Sequence, residues 1–330
     1  MVFLMVMVLV SPQRTWEMGP AFDFRWALTA STKLPFLRTK KTSLPAAVMA
    51  GIPESFDPTA QWPECSKVLN DIQDASTCGC SWAMSVTSAL SSQLCIATNG
   101  TTQVPLSSED VCFNANYFHS DGCNGGNMAD SYYYINIGAV TGGHQNGTGV
   151  FGGGWCSAYT IPQCSNKYDR KDDPYPPCEK QSKSPPGPKT CDATAKAPFN
   201  NFAQKFRFDG KSIEGAPFES LQVESQIQLS LMTRGPATTS FTVWADFLSY
   251  KSGIFKSNET GPALGGIAVA IVGWGVENGI KYWKAQNSFG KYWGENGFFR
   301  IIRGINHAGF ESAAVTVPDN TKWIVPVELI

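Results

Sequence analysis

From Cys80 onward, apolar residues return at helical spacing: Trp82, Val86, Ala89 or Leu90, and Leu94 share one side of a helix. The pattern predicts a helix starting near Cys80 with one buried face. A second helix is predicted over residues 218–233, where Val223, Ile227 and Leu231 lie four apart and Gly235-Pro236 ends the run. Farther on the period changes to that of strands. Residues 268–273 and 281–287 flank Asn278-Gly279, a dipeptide that accepts the positive φ angles of a tight hairpin. Residues 297–303 supply another strand. Between 142 and 200 periodicity is lost: Gly142-Gly143, Gly152-Gly153-Gly154, Pro185-Pro186-Gly187-Pro188 and four cysteines predict a region stapled rather than packed. A helical first half followed by a β-rich second half argues for an α+β fold with two lobes.

Composition narrows the setting. The chain has 330 residues, 42% of them hydrophobic, enough for one large domain or two lobes sharing a cleft. A net charge of −1 gives no electrostatic reason to bind nucleic acid or an anionic membrane. The ten cysteines lack the paired C-x-x-C spacing of zinc sites, so a disulfide framework is expected, with no metal and no cofactor. Three N-x-[ST] sequons, at Asn99, Asn146 and Asn258, agree with passage through the secretory pathway to an extracellular or lysosome-like destination. Residues 1–10 are apolar, too few to span a bilayer, and read as a signal-like segment. Residues 11–51, with a basic cluster at 38–41, read as a short pro-segment or linker.

The candidate chemistry lies at the start of the first helix. The stretch Ser76-Thr77-Cys78-Gly79-Cys80-Ser81-Trp82-Ala83-Met84 nearly spells C-G-[SA]-C-[WY], the nucleophile segment of papain-type cysteine proteases. Longer stretches agree with it: IPESFDPTAQWPEC (52–65), DGCNGG (121–126), DFLSYKSGIF (246–255), GWGVENGIKYW (273–283) and WGENGFFRIIRG (293–304). Over residues 52–318 the sequence resembles the papain family, and within it the cathepsin B-like proteins. The resemblance implies a helical lobe, about 52–200, and a β-barrel-like lobe, about 201–318, facing each other across a peptide-binding cleft. Residues 319–330 remain as a tail.

Set against the family's pattern, the catalytic positions are altered. The family uses a thiolate at a helix N-terminus, a histidine that carries the proton, an asparagine that orients it and a glutamine that helps hold the oxyanion. Aligned on Trp82-Ala83, the cysteine position is Ser81 and the glutamine position is Ala75. The histidine position, in Gly265-Gly266-Ile267-Ala268, is Ile267. The asparagine persists as Asn287, followed by Phe289 where the family has tryptophan. A serine hydroxyl with no base facing it is a poor nucleophile, and a helix N-terminus contributes at most about 2 kcal/mol toward its anion. The leading expectation is therefore a pseudoprotease that binds a peptide, a protein partner or a cysteine-protease inhibitor. The alternative is an active endopeptidase that uses Cys80 or a histidine outside the alignment. A decoy or structural role with no use for the cleft is the third reading. Neighbouring helix positions differ by about 100°, so Cys80 is expected to aim away from where Ser81 aims. The three histidines, His119, His144 and His307, are expected to be structural or superficial.

The same resemblance implies the bridges Cys65–Cys95, Cys78–Cys123, Cys156–Cys191 and Cys164–Cys178. Cys80 and Cys112 are left over, either bonded to each other or free. The counterpart of the occluding loop, between Cys164 and Cys178, has no histidine; Lys167 or Arg170 would be its charge, if it keeps one. Gly125 and Gly126 match the backbone ledge that pairs with a bound peptide. Glu311 matches an acid at the base of the pocket for the second substrate residue.

Overall fold

In GGIAVAIVGWGVE, residues 265–277, the first polar side chain after eleven small or apolar residues and a valine is Glu277. Such a run suits a strand covered on both faces, and it forms the longest strand of the protein, buried from Gly265 to Gly275. Its alternate side chains serve two cores. Ala270 and Val272 pack with Ala89 of the first long helix, while Ile267, Val269 and Ile271 enter the core of the second lobe. Small residues on the helix side allow the close approach.

The computed structural model describes residues 45–116, 120–165, 173–178, 180–195, 206–212 and 215–325. The signal-like segment, most of the pro-segment, His119, Lys167 and Arg170 lie outside them. The principal helices are α1 (Ser81–Ala97), α2 (Ser108–Asn114), α3 (Met128–Ile137) and α4 (Glu224–Arg234). The strands are β1 (Arg207–Asp209), β2 (Glu219–Leu221), β3 (Ala237–Val243), β4 (Ile254–Phe255), β5 (Gly265–Glu277), β6 (Ile280–Gln286), β7 (Phe298–Ile302), β8 (Ala314–Thr316) and β9 (Lys322–Ile324). Seven strands form one sheet in the order β2-β8-β3-β5-β6-β7-β4, antiparallel except for β4 on β7. The expected hairpin joins β5 to β6, with Asn278 and Gly279 both at positive φ. The fold is papain-like and α+β: helices α1–α3 make the first lobe, and the sheet makes the second.

Four differences from the sequence reading have physical causes. Helix α1 is buried almost all round rather than on one face, because it lies between α2 and α3 on one side and β5 on the other. The predicted helix over 218–233 begins only at Glu224. Residues 219–221 instead pair with β8, and Phe218 joins the first-lobe core. Within 142–200, the stretch 156–161 is packed as well as stapled: Cys156, Tyr159 and Ile161 are buried, and the Ser157 and Tyr159 amides donate to Thr141 and Gly143. After Pro318 the chain continues as β9, which pairs with β1 and sets Trp323 against Phe208. No described helix is long and apolar enough to cross a membrane.

Candidate active-site cleft

Ser81 is the first residue of α1, and Cys80 caps it. The Ser81 hydroxyl oxygen accepts from the Ala268 N–H at 3.3 Å, which seats it against β5. The neighbouring side chain on β5 is Ile267, buried at 2% exposure and facing the same hollow as Ser81. A hydrocarbon side chain therefore stands beside the Ser81 hydroxyl. Cys80 points into the core, fully buried, and forms a disulfide with Cys112. The rotation expected between neighbouring helix positions is what separates Cys80 from Ser81.

The other positions that align with the family's catalytic residues are built into the same framework. The Ala75 amide donates to the Ser288 carbonyl at 2.9 Å, and the Ala75 carbonyl accepts from Tyr159 Oη at 3.3 Å. The segment is thus held in place, but its methyl group has nothing to donate. Gln73, two residues earlier, does not substitute. Its Nε2 donates to Ser88 at 2.8 Å, and its Oε1 accepts from Ser108. Asn287 is buried; its Oδ1 accepts from the Ser288 N–H at 2.9 Å, while its Nδ2 has no partner among the described residues. An unpaired buried amide is uncommon and costs about 1–3 kcal/mol. Phe289 packs edge-on against Trp293 with ring centres 5.4 Å apart.

Facing Ser81 is the glycine ledge. Gly125 adopts φ 104°, a conformation that favours glycine. A Cβ on Gly126 would lie 2.4 Å from the Trp82 ring, so the backbone itself must form this wall. Asn127 fixes the ledge by capping α3, its Oδ1 accepting from the Ala129 N–H at 2.9 Å. Gly125 uses its own groups locally, but among the described residues neither the N–H nor the C=O of Gly126 takes a hydrogen bond. Met128, Ser240, Gly266 and Ala268 complete the lining. Sequence reasoning missed Met128 and Ser240; only Met128's place two residues after the ledge could have signalled it. A larger hollow, about 410 Å³, lies apart from this chemistry between Met49, Val223, Gln228 and Arg303.

The description "Papain family cysteine protease" matches residues 52–317. The chain belongs to the papain family of cysteine proteases. Within it, the chain is 38% identical over 276 residues to Cathepsin B-like cysteine proteinase 5 of Caenorhabditis elegans, covering 82% of this chain and 76% of that protein. It is 37% identical over 268 residues to Cathepsin B-like cysteine proteinase 4 of the same organism, covering 80% and 74%. Among solved structures, it resembles procathepsin B S9 from Trypanosoma congolense with a TM-score of 0.66 at 26% identity, covering 91% of this chain and 87% of that one.

In this cathepsin B-like chain the four bridges implied by the family resemblance are all present, Cys65–Cys95, Cys78–Cys123, Cys156–Cys191 and Cys164–Cys178, and Cys80–Cys112 is the fifth. All ten cysteines are thereby bonded. His144 is buried, its Nε2 2.8 Å from Asp71. His307 is also buried, and its Nε2 accepts from the Ser257 N–H at 2.9 Å. Neither lines the hollow at Ser81. Asn99, Asn146 and Asn258 are exposed.

Glu311, expected at the base of a ligand pocket, is held within its own turn. It does not line the hollow; it is buried, and both carboxylate oxygens are occupied. Oε1 accepts from Trp283 Nε1 at 2.9 Å and from the Gly304 N–H at 2.5 Å, and Oε2 accepts from the Asn306 N–H at 2.8 Å. These bonds tie the 304–312 turn to β6. Glu311→Ala is therefore expected to reduce stability by about 3 kcal/mol or more, since three donors lose a charged acceptor. A denaturant melt of the variant checks this; an unchanged midpoint would contradict the structural role.

Proposed function

We propose that this cathepsin B-like chain is a pseudoprotease whose cleft binds an extended peptide, or the wedge of a cysteine-protease inhibitor, without cleaving it. The observation that carries the reading is the pairing of Ser81 with Ile267, which leaves the cleft without a nucleophile–base couple. The engagement of Cys80 in a disulfide supports it, because it withdraws the nearest thiol. The backbone groups of Gly126, unpaired among the described residues, support binding, because an extended chain can pair there like an added strand. Five disulfides and three exposed sequons fit an oxidising secretory route, with glycans at Asn99, Asn146 and Asn258.

A cleavage assay on the purified, processed protein tests the reading. No turnover of cathepsin-type peptide substrates above a blank is expected, with or without a reductant. Turnover that a thiol alkylator abolishes, and that persists after removal of contaminating proteases, would establish an active endopeptidase instead.

A further inference from the structure

We propose that Cys78, Gly79 and Cys80 form a thiol–disulfide exchange site, through which an external thiol that opens the Cys80–Cys112 bridge also releases Cys123 beside the glycine ledge. Two bridges meet at this point: Cys78–Cys123, and Cys80–Cys112, the one that the family resemblance does not imply. Their sulfurs are in contact. Cys78 Sγ lies 3.2 Å from Cys80 Sγ, and the Sγ atoms of Cys78, Cys80 and Cys123 are all within 4.8 Å of one another. The backbone accounts for the contact. The Cys80 N–H donates to the Cys78 carbonyl at 2.8 Å, closing a three-residue turn that brings the two side chains together. Glycine is needed at its centre: a Cβ on Gly79 would lie 2.6 Å from the Cys123 carbonyl oxygen, which accepts from the Gly79 N–H at 2.9 Å.

The co-reactant is a small-molecule thiol of the glutathione class, acting as its thiolate. The thiolate attacks Cys112 Sγ. A mixed disulfide forms on Cys112, and the bond to Cys80 breaks with its electron pair going to Cys80. Attack in this direction is favoured, because Cys80 caps the 17-residue α1, whose first turn holds no acid. A thiolate at a helix N-terminus is the better leaving group. The Cys80 thiolate then faces Cys78 Sγ. Its attack forms the Cys78–Cys80 bond and breaks Cys78–Cys123, and Cys123 leaves as a thiolate that takes a proton from solvent. This second step needs no reductant, since one disulfide forms as another is lost. Burial separates the two steps in rate. Cys78, Cys80, Cys112 and Cys123 are each 2% exposed or less, so the external attack is slow, whereas the internal attack needs no access. The consequence falls on the cleft. Cys123 lies two residues before Gly125, and its bridge links the ledge to the segment that leads into α1. Breaking that link loosens the ledge while the other three bridges stay in place.

The test treats the disulfide-intact protein with reduced glutathione, traps free thiols with N-ethylmaleimide after an acid quench, and maps the peptides by mass spectrometry without reduction. The expected products are glutathione on Cys112, a trapped thiol on Cys123 and a Cys78–Cys80 bond. All three should form before any cysteine of the other three bridges is trapped, and amide hydrogen exchange over residues 122–128 should rise in step. Cys112→Ser leaves Cys80 without its partner, and it should give trapped Cys123 and the Cys78–Cys80 bond with no added thiol. In the double variant Cys80→Ser, Cys112→Ser the attacking thiolate is gone, and trapping of Cys123 at a given glutathione concentration should fall at least about tenfold. Mapping of the wild-type protein needs no variant, so it decides the matter even where a variant fails to fold. Cys80 trapped with Cys78–Cys123 intact would overturn the proposal. So would simultaneous opening of all five bridges, the mark of global unfolding, or a protein in which no bridge opens short of unfolding.

Discussion

Ser81→Cys alone is expected to leave peptide hydrolysis close to background, whereas Ser81→Cys, Ile267→His and Ala75→Gln together raise kcat/KM at least about 10³-fold above that single change, because members of a catalytic unit act jointly. The single variant places a thiol at the start of α1, where the helix N-terminus favours its anion. A lone thiol of ordinary pKa near 8.5 is a few per cent ionised at neutral pH, and nothing returns a proton to the leaving amine. Ile267→His supplies that proton carrier. Ala75→Gln supplies a donor whose absence alone costs about 10²–10³ in rate at comparable sites. The surroundings favour the rescue: Ala75 is already held on the Ser288 carbonyl. Steady-state kinetics with and without a thiol alkylator, plus a pH profile, decide the matter. The triple variant should acquire a bell-shaped dependence that the single variant lacks. Equal kcat/KM for single and triple variants would mean that the altered positions are not what silences the cleft.

The fold was legible because several of its devices are local. Asn278-Gly279 favours a tight turn, and the unbroken apolar run after Gly265 suits a strand covered on both faces. The positions that align with the family's catalytic residues can be placed because each falls inside a motif of fixed length around Trp82, Gly273 or Asn287. What the sequence concealed depends on distant partners. Glu311 is an acid in a familiar stretch, but its role is set by Trp283, 28 residues away, and by two amides that only the folded turn presents. The bond between Cys80 and Cys112 likewise depends on α2 lying against α1, which no local pattern states. Residues 219–221 carry apolar neighbours at spacings that suit a helix, and the edge of β8 decides the matter for a strand.

The protein is also expected to be more stable at pH 5 than at pH 8, by about 2–3 kcal/mol from one carboxyl alone. Glu109, in the first turn of α2, is buried, and burial pushes its pKa up to about 7, against hydrogen bonds from Thr160 and with the charge of Asp192. In the unfolded chain it titrates near the ordinary 4.5. Between these values the folded state binds a proton that the unfolded state does not, so stability grows as pH falls from above 7 toward 4.5. His144 acts in the same sense. Burial opposes its imidazolium, but the hydrogen bond to Asp71 and the charges of Asp71 and Asp74 outweigh burial, and its pKa is raised. A raised histidine contributes stability that is fully present below the unfolded value near 6.5 and is lost as pH rises through the folded value. His307 works the other way: burial lowers its pKa, against the charge of Glu259, so its contribution is lost as pH falls through 6.5. It is opposed by Glu109, His144 and Glu219, whose pKa burial also raises against the charge of Arg234, and the net slope favours acid. Thermal melts across pH 5–8 should show the midpoint falling as pH rises, by several degrees for a chain of this size. Glu109→Gln preserves the contact with Thr160 and removes the titration, so it should flatten most of that slope and raise stability at pH 8. A slope left intact in Glu109→Gln would show that this carboxyl is not the source, and a midpoint rising toward pH 8 in the wild-type protein would reverse the sign of the whole argument.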